Sequence, residues 1–301
     1  MTTRLETVVW QNGAVEFVDQ TLLPQDEEMR RCDTVDLVID AIARLVVRGA
    51  PAIGVAGAYG VALAASKHHP IEDAERFRTE VKRIRDARPT AVNLARMVDR
   101  TAVAESFDEA LRIADQIREE ERVASINMGE LGADFLLERC GDRPLRVMTI
   151  CNTGALAAIE RGTALAVIQT LHERGKLAEA LPLETRPLLQ GGRLTAWELQ
   201  RMGAPFRLLV DSAAASLLAR GYADAIVTGA DRIAANGDTA NKVGTFSLAL
   251  AAQFANVPFV VVAPESTVDV GTHSGSDIHI EERSADEVVS FKGVGVSPAG
   301  T

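Results

Sequence analysis

The sequence predicts an α/β protein with its sheet in the second half, and three observations carry that prediction. Apolar residues between about 16 and 137 recur mostly at helical spacing. After residue 145, short apolar runs alternate with helix-patterned runs over short connections. That order builds a parallel sheet with right-handed crossovers. The length of 301 residues, with 47% hydrophobic and 25% charged, fits one large domain or two ordinary ones. The polar, Gly-containing CGDR stretch is the expected hinge. It leaves a smaller, mainly helical region over 1–140 and a sheet region over 141–301.

The elements follow in order. Residues 8–17 read as a small hairpin turning at Asn12-Gly13. Thr34 is the expected N-cap of a helix whose Leu37, Ile39, Ile42, Leu45 and Val46 share an apolar face. RGAPAIG places Pro51 at the start of a small-residue helix running to about 66. Its Gly and Ala allow close backbone packing at some cost in helix propensity. Residues 71–85 and 107–137 read as amphipathic surface helices. In the second half, strands are expected over 145–151, 179–184, 206–211, 223–228 and 258–263. Helices are expected over 155–174, 195–202, 212–220 and 240–254.

Composition excludes several functions. With 32 Lys+Arg against 42 Asp+Glu, the net charge is −10, which argues against general phosphate-backbone binding. Aromatics at 4% are too few for base stacking as a main activity. Cys32, Cys140 and Cys151 form no CxxC pair and suit a reducing compartment. MTTRLETVVWQ lacks a basic-then-apolar leader pattern, and the weakly polar run 50–65 is short for a bilayer span. A soluble cytoplasmic protein without nucleic-acid or membrane partners is expected. No P-loop is present, and Gly54, Gly57 and Gly60 fail the dinucleotide fingerprint. His68, His69, His172, His273 and His279 show no metal spacing, so neither metal nor cofactor is expected.

Ligands of open α/β sheets bind outside the carboxyl ends of the strands. Cys151, the ETRPLLQGG stretch, Asp211, Asp231 and PESTVD all follow predicted strands, so they should collect on one edge. Cys151 reads either as a small buried hydrophobe or as a thiol activated by the helix that CNTGALA begins. Asp231 reads either as a cap or surface charge, or as a carboxyl whose partial desolvation suits a general acid. Three segments could hold an anion: Arg48-Gly49-Ala50 before a Pro-initiated helix, Arg88-Pro89-Thr90, and Asn241-Lys242 opening another helix.

Together these segments resemble the methylthioribose-1-phosphate isomerase family. Its superfamily also holds ribose-1,5-bisphosphate isomerase and regulatory subunits of a translation initiation exchange factor. The matching stretches are RGAPAIGVAGAYG, RPTAVNL, CNTGALA, ETRPLLQGGRLTAWEL, GADRIAANGDTANKVGT and APESTVD, followed by GSDIHIEER. They occur in the family's order along nearly the whole chain. Two departures stand out. Ile150 replaces the His that usually precedes the family's catalytic Cys, and residues 297–301 stand where the family usually continues into Asn-Pro-Ala-Phe-Asp.

The resemblance implies a Rossmann-like second domain, a homodimer, and a small sugar 1-phosphate as ligand. Cys151 and Asp231 fall on the family's catalytic positions. Arg48, Gly49, Ala50, Arg88, Gln190, Asn241 and Lys242 fall on its substrate- and phosphate-binding positions. The implied reaction converts 5-methylthioribose 1-phosphate to 5-methylthioribulose 1-phosphate in methionine salvage. The alternatives are a related isomerase of 5-deoxyribose 1-phosphate or ribose 1,5-bisphosphate, and a non-catalytic regulatory homologue.

Overall fold

The structure, a computed structural model, describes residues 6–89, 91–291 and 293–298. Thr90, named above with Arg88 and Pro89, and residues 299–301 lie outside them. The chain begins with an antiparallel sheet of β1 (Val8–Gln11), β2 (Ala14–Val18) and β3 (Met29–Cys32), in that order. Asn12 and Gly13, at φ 48° and 72°, make the expected turn. Both central residues of a two-residue hairpin of this kind need positive φ. The third strand, MRRC, has no apolar alternation and was not expected; Cys32 alone of its residues is buried.

Five helices follow: α1 (Val35–Ala43), α2 (Ala50–Lys67), α3 (Ala74–Arg85), α4 (Val92–Thr101) and α5 (Phe107–Cys140). The Thr34 hydroxyl caps α1 by accepting from the Leu37 amide. The buried face of α1 is Val35, Val38, Ala41 and Ile42, so Leu37 and Ile39 only flank the core. Leu45 lies beyond the helix at φ 62°. Helix α2 is the centre of this half, with residues 51–65 all buried. A helix apolar all round must be enclosed by neighbours. Its Gly54 and Gly57 face α4: a Cβ there would stand 2.2 Å from Met97 Sδ and 2.4 Å from Leu94 Cδ1. The GxxGxxG spacing is therefore a helix-packing stripe. Helix α4 itself was not expected.

Helix α5 has 34 residues and spans about 51 Å at 1.5 Å per residue. Ala110, Ile113, Ala114 and Ile117 of its first half pack into the core around α2. Ala133 and Leu136 of its second half pack into the next core.

The second half contains β4 (Leu145–Thr149), α6 (Ala155–Ala158), α7 (Ala164–Glu173), β5 (Leu177–Pro182), a π-helical stretch at 191–195, and α8 (Ala196–Met202). Next come α9 (Ala214–Ala219), β6 (Ala225–Thr228), β7 (Arg232–Ala234), β8 (Thr239–Ala240), α10 (Thr245–Ala255) and β9 (Phe259–Val261). The described chain ends with β10 (Val268–Asp269), α11 (Asp286–Val289), β11 (Ser290–Phe291) and β12 (Val294–Gly295). The main sheet runs β5-β4-β6-β9, all parallel. Strand alternation divides its faces. Val147 and Val227 point to a core shared with α5 and α7, while Met148 and Ile226 point to one shared with α9 and α10.

Two expected elements differ. The 206–211 strand is reduced to isolated bridges from Phe206 and Leu209 to β5. The helix expected over 155–174 is broken: Ile159, Glu160 and Gly162 all have positive φ. The break lets the chain fold back so that the Thr163 amide donates to the Thr153 carbonyl at 2.7 Å. At Gly162 a Cβ would meet that carbonyl at 2.1 Å. A long-range contact, not local propensity, sets this interruption.

Substituting Gly57→Val should force α4 away from α2, because Leu94, Val98 and Ile84 already surround the site. Overpacking of this kind costs about 1–3 kcal/mol, read as a lower urea midpoint at unchanged m-value.

Candidate active site

The carboxyl ends of β4, β5 and β6 lead into the Cys151 turn, the 183–190 loop and Gly229-Ala230-Asp231. They meet the N-terminus of α2, and between them lies a cavity of about 470 Å³. Cys151 and Asp231 line it from the sheet edge, with Gln190, Asn241 and Lys242. Arg48, Gly49, Ala50 and Arg88 line it from the helical half. All nine residues singled out from the sequence are thus on one cavity.

Each is held for a local reason. Cys151 sits at φ 68°, a conformation disfavoured for a residue with a Cβ. Its amide donates to Thr185 Oγ1 at 2.9 Å, and its carbonyl accepts from Thr195 Oγ1 at 2.6 Å. Two threonines therefore pin the turn that presents the thiol. Gly49 caps α2 at φ 94°. A Cβ there would lie 2.3 Å from the Ala157 carbonyl, so glycine permits the helix to approach α6. That approach brings Arg48 to the sheet edge. Its Nη1 donates to Asn152 Oδ1 at 3.1 Å and its Nη2 to Cys151 Sγ at 3.5 Å.

Gln190 is buried, and its Oε1 has no hydrogen-bond partner among the described residues. A buried acceptor on a cavity wall is one that a ligand hydroxyl would satisfy. Asn241 and Lys242 precede α10 by a turn and do not open it; Asn241 Nδ2 donates to Thr245 Oγ1 at 3.1 Å.

The expected environments of the thiol and the carboxyl need correction. The helix after Cys151 is a single turn, and its leading amide, Ala155 N, donates to Glu198 Oε2 at 2.7 Å. The cation beside the sulfur is instead Arg48. Asp231 is exposed to the cavity mouth, not partly desolvated.

Sequence reasoning missed two features. The first is the far wall, where Ile278, His279, Ile280, Glu281 and Val288 face the cavity. Arg186 Nη2 tethers it by donating to the Val288 carbonyl at 2.8 Å. The GSDIHIEER stretch was noted in the sequence without a role, and its position after the last strands was the available signal. The second is Glu198, only 3% exposed on α8. An acid between Trp197 and Leu199 gave little hint of burial. Desolvation pushes its carboxyl up to about 7, against hydrogen bonds from Asn152 and two backbone amides and the charge of Arg48.

The cations divide into two sets. Arg88 lies 3.6 Å from Glu281, Arg232 lies 3.5 Å from Asp269, and Arg283 lies 3.0 Å from Glu281. Arg48 and Lys242 have no ion pair among the described residues. Nearby, Arg193 is lowered by burial and then by Arg48, and donates to the Gln20, Thr21 and Leu23 carbonyls. The site can hold one anion beside the Cys151 sulfur and the Asp231 carboxyl group.

Residues 46–300 match the sequence profile of the Initiation factor 2 subunit family, and the chain belongs to that family. Its relatives there include a methylthioribose-1-phosphate isomerase of Anaeromyxobacter sp. (strain K), 48% identical over 95% of this chain and 83% of that one. A probable bifunctional methylthioribose-1-phosphate isomerase/methylthioribulose-1-phosphate dehydratase of Nocardia farcinica is 50% identical over 98% of this chain. The chain spans about half, 54%, of that relative's length. The crystal structure of 5-methylthioribose 1-phosphate isomerase from Pyrococcus horikoshii OT3 superposes with a TM-score of 0.88 at 37% identity, covering 99% of this chain and 86% of that one. Subunit delta of translation initiation factor eIF-2B from A. fulgidus gives 0.82, also at 37% identity, over 99% and 88%.

Glu198 generates a stability prediction. An unfolded Glu titrates near ~4.3, well below the folded value. Between the two the folded state holds a proton that the unfolded chain has released, so stability falls as pH rises through that window. Over the whole window the contribution is about 4 kcal/mol, taken at ~1.36 kcal/mol per pKa unit. Urea unfolding at pH 5 and pH 7.5 should show that a Glu198→Gln variant lacks this part of the wild-type decline.

Proposed function

We propose that the chain is an aldose–ketose isomerase that converts 5-methylthioribose 1-phosphate to 5-methylthioribulose 1-phosphate in methionine salvage. One observation carries the reading: Cys151 and Asp231 face one cavity with two cations, Arg48 and Lys242, that have no ion pair among the described residues. Near-full-length identity to named isomerases supports it.

The chemistry follows from the substrate. An aldose whose anomeric carbon carries phosphate cannot open to a free aldehyde without losing that group. The enzyme must break the bond between C1 and the ring oxygen and keep the phosphate. Asp231 donates a proton to the ring oxygen as that bond breaks. Cys151, as thiolate, removes the C2 proton, and the freed electron pair forms a C1–C2 double bond. The Cys151 thiol exchanges its proton with solvent and then protonates C1, while the C2 hydroxyl gives its proton to Asp231, leaving a C2 ketone. Each residue ends in the state in which it began. Arg48 and Lys242 hold the phosphate, and Gln190 Oε1 accepts from a sugar hydroxyl.

The ion pairs bear on the 5-substituent. Arg88, Arg232 and Arg283 already face carboxylates, which leaves two cations for a single phosphate. Leu45, Ile53, Leu188 and Ile278 offer an apolar wall to a methylthio group. This favours the methylthio sugar over ribose 1,5-bisphosphate.

The same reading includes a cytoplasmic, two-domain chain, 1–140 and a Rossmann-like 141–301, that works as a homodimer. Supporting the dimer, Phe246, Leu250 and Phe254 form an exposed stripe on α10 at i, i+4 and i+8. A stripe of this kind seeks an apolar partner.

Proton NMR of the protein with methylthioribose 1-phosphate should show the ketose 1-phosphate, with solvent deuterium entering C1 in D₂O. Ribose 1,5-bisphosphate should give a lower kcat/KM. Cys151→Ser and Asp231→Asn should each cut kcat by at least about 10²–10⁴-fold, the usual value of a placed proton-transfer group. Near-normal turnover removes that residue from the scheme. In light scattering, a Phe246→Asp/Phe254→Asp variant should run as a monomer where the wild type runs as a dimer.

A further inference from the structure

Glu198 lines no part of the cavity and takes no step in the scheme above, yet it is a buried acid among groups that reach the thiol. Its Oε1 accepts from Asn152 Nδ2 at 2.6 Å and its Oε2 from the Ala155 amide at 2.7 Å. A Cβ on Gly154 would stand 2.3 Å from Oε2, so glycine there makes room for the carboxylate. The second hydrogen of Asn152 Nδ2 points to Thr195 Oγ1 at 3.4 Å, and that hydroxyl donates to the Cys151 carbonyl. Both acceptors around the amide nitrogen fix the orientation of Asn152, because a flip would set Oδ1 against the carboxylate. Oδ1 is thereby aimed at Arg48 Nη1, which leaves Nη2 at Cys151 Sγ.

We infer that Glu198 is a positioning residue: through the Asn152 amide it locks the Arg48 guanidinium against the Cys151 sulfur. The inference rests on the reading of Cys151 as the proton-moving group. The role belongs to the ionised carboxylate, present above about pH 7 and so across the range where a thiol titrates, because it accepts at both oxygens. In Glu198→Gln the amide must turn its NH₂ either toward the Ala155 N–H or toward Asn152. The first sets donor against donor. The second relieves its own conflict by flipping Asn152, which then presents NH₂ to Arg48. The first keeps Asn152 in place but leaves an unrelieved clash with a backbone amide that cannot turn, so the second is preferred: Asn152 flips, its link to Arg48 breaks, and the mobile guanidinium is released from the thiol.

The test reads the thiol directly. Full-length protein is alkylated with iodoacetamide across a pH series, and the Cys151 peptide is resolved by mass spectrometry from those of Cys32 and Cys140. Loss of an adjacent cation should move the Cys151 midpoint up by about one unit in Glu198→Gln, a size typical of nearby-charge effects. Asn152→Ala should give the same rise without touching the acid, and the double variant should rise no further. With methylthioribose 1-phosphate, kcat should fall about 10–100-fold, as when the partner that orients a reacting group is removed. An unchanged midpoint with reduced kcat overturns the inference in favour of a merely structural acid. A lowered midpoint also overturns it, since Glu198 would then act as a bare anion near the thiol. If Glu198→Gln does not fold, the Asn152→Ala midpoint decides by itself. If the wild type turns over no sugar phosphate, the proposed function fails while the alkylation midpoints still report on the Glu198 link.

Discussion

The close approach of α2 to the turn after β4 is the contact on which the site depends. It is possible because Gly49 lacks a Cβ where the Ala157 carbonyl stands 2.3 Å from where one would be. Helix α2 is itself immobilised by burial on every side. Its position is therefore set by the whole helical half, and that half in turn sets where Arg48 reaches. Neither half alone would bring a guanidinium to the Cys151 thiol. Cys151, Asp231 and Lys242 reach the cavity from the sheet half, and Arg48 and Arg88 from the helical half.

The electrostatics show the same division. The chain carries a net charge of −10, yet five cationic side chains gather around one cavity. Carboxylates from β10 and the 281–287 stretch face three of them. An acidic protein can thus hold an anion locally, because charge at a binding site is decided by which cations are left without partners, not by the total. Glu198 inverts the usual economy of such a site. It is an acid buried at a cost and kept for the geometry of its two oxygens.

Much of this was legible in the sequence, and the reasons differ by residue. Cys151 and Asp231 could be found because strand runs such as LRVMTIC and ADAIVT are locally recognisable, and the edge of a parallel sheet follows from their order. The Asn12-Gly13 hairpin and the Thr34 cap were readable for the same reason: each is local chemistry. What could not be read depends on distant contacts. The break at Ile159–Gly162 exists to satisfy the Thr153 carbonyl. Strand β3 exists because β2 offers it a free edge. The far wall at 278–288 has little regular pattern to detect. Glu198 looked like an ordinary acid on an ordinary helix, and only folding reveals that it faces inward.

Helix α5 carries a last consequence. Its first half packs beneath α2 and its second half beneath the parallel sheet, without interruption over 34 residues. Fraying of either core would strip packing from the rod that supports the other. Loss of packing in one core would therefore weaken the other through the helix they share. Residue 140, where the helix ends, is therefore not where the two cores part, since Ala133 and Leu136 already belong to the second.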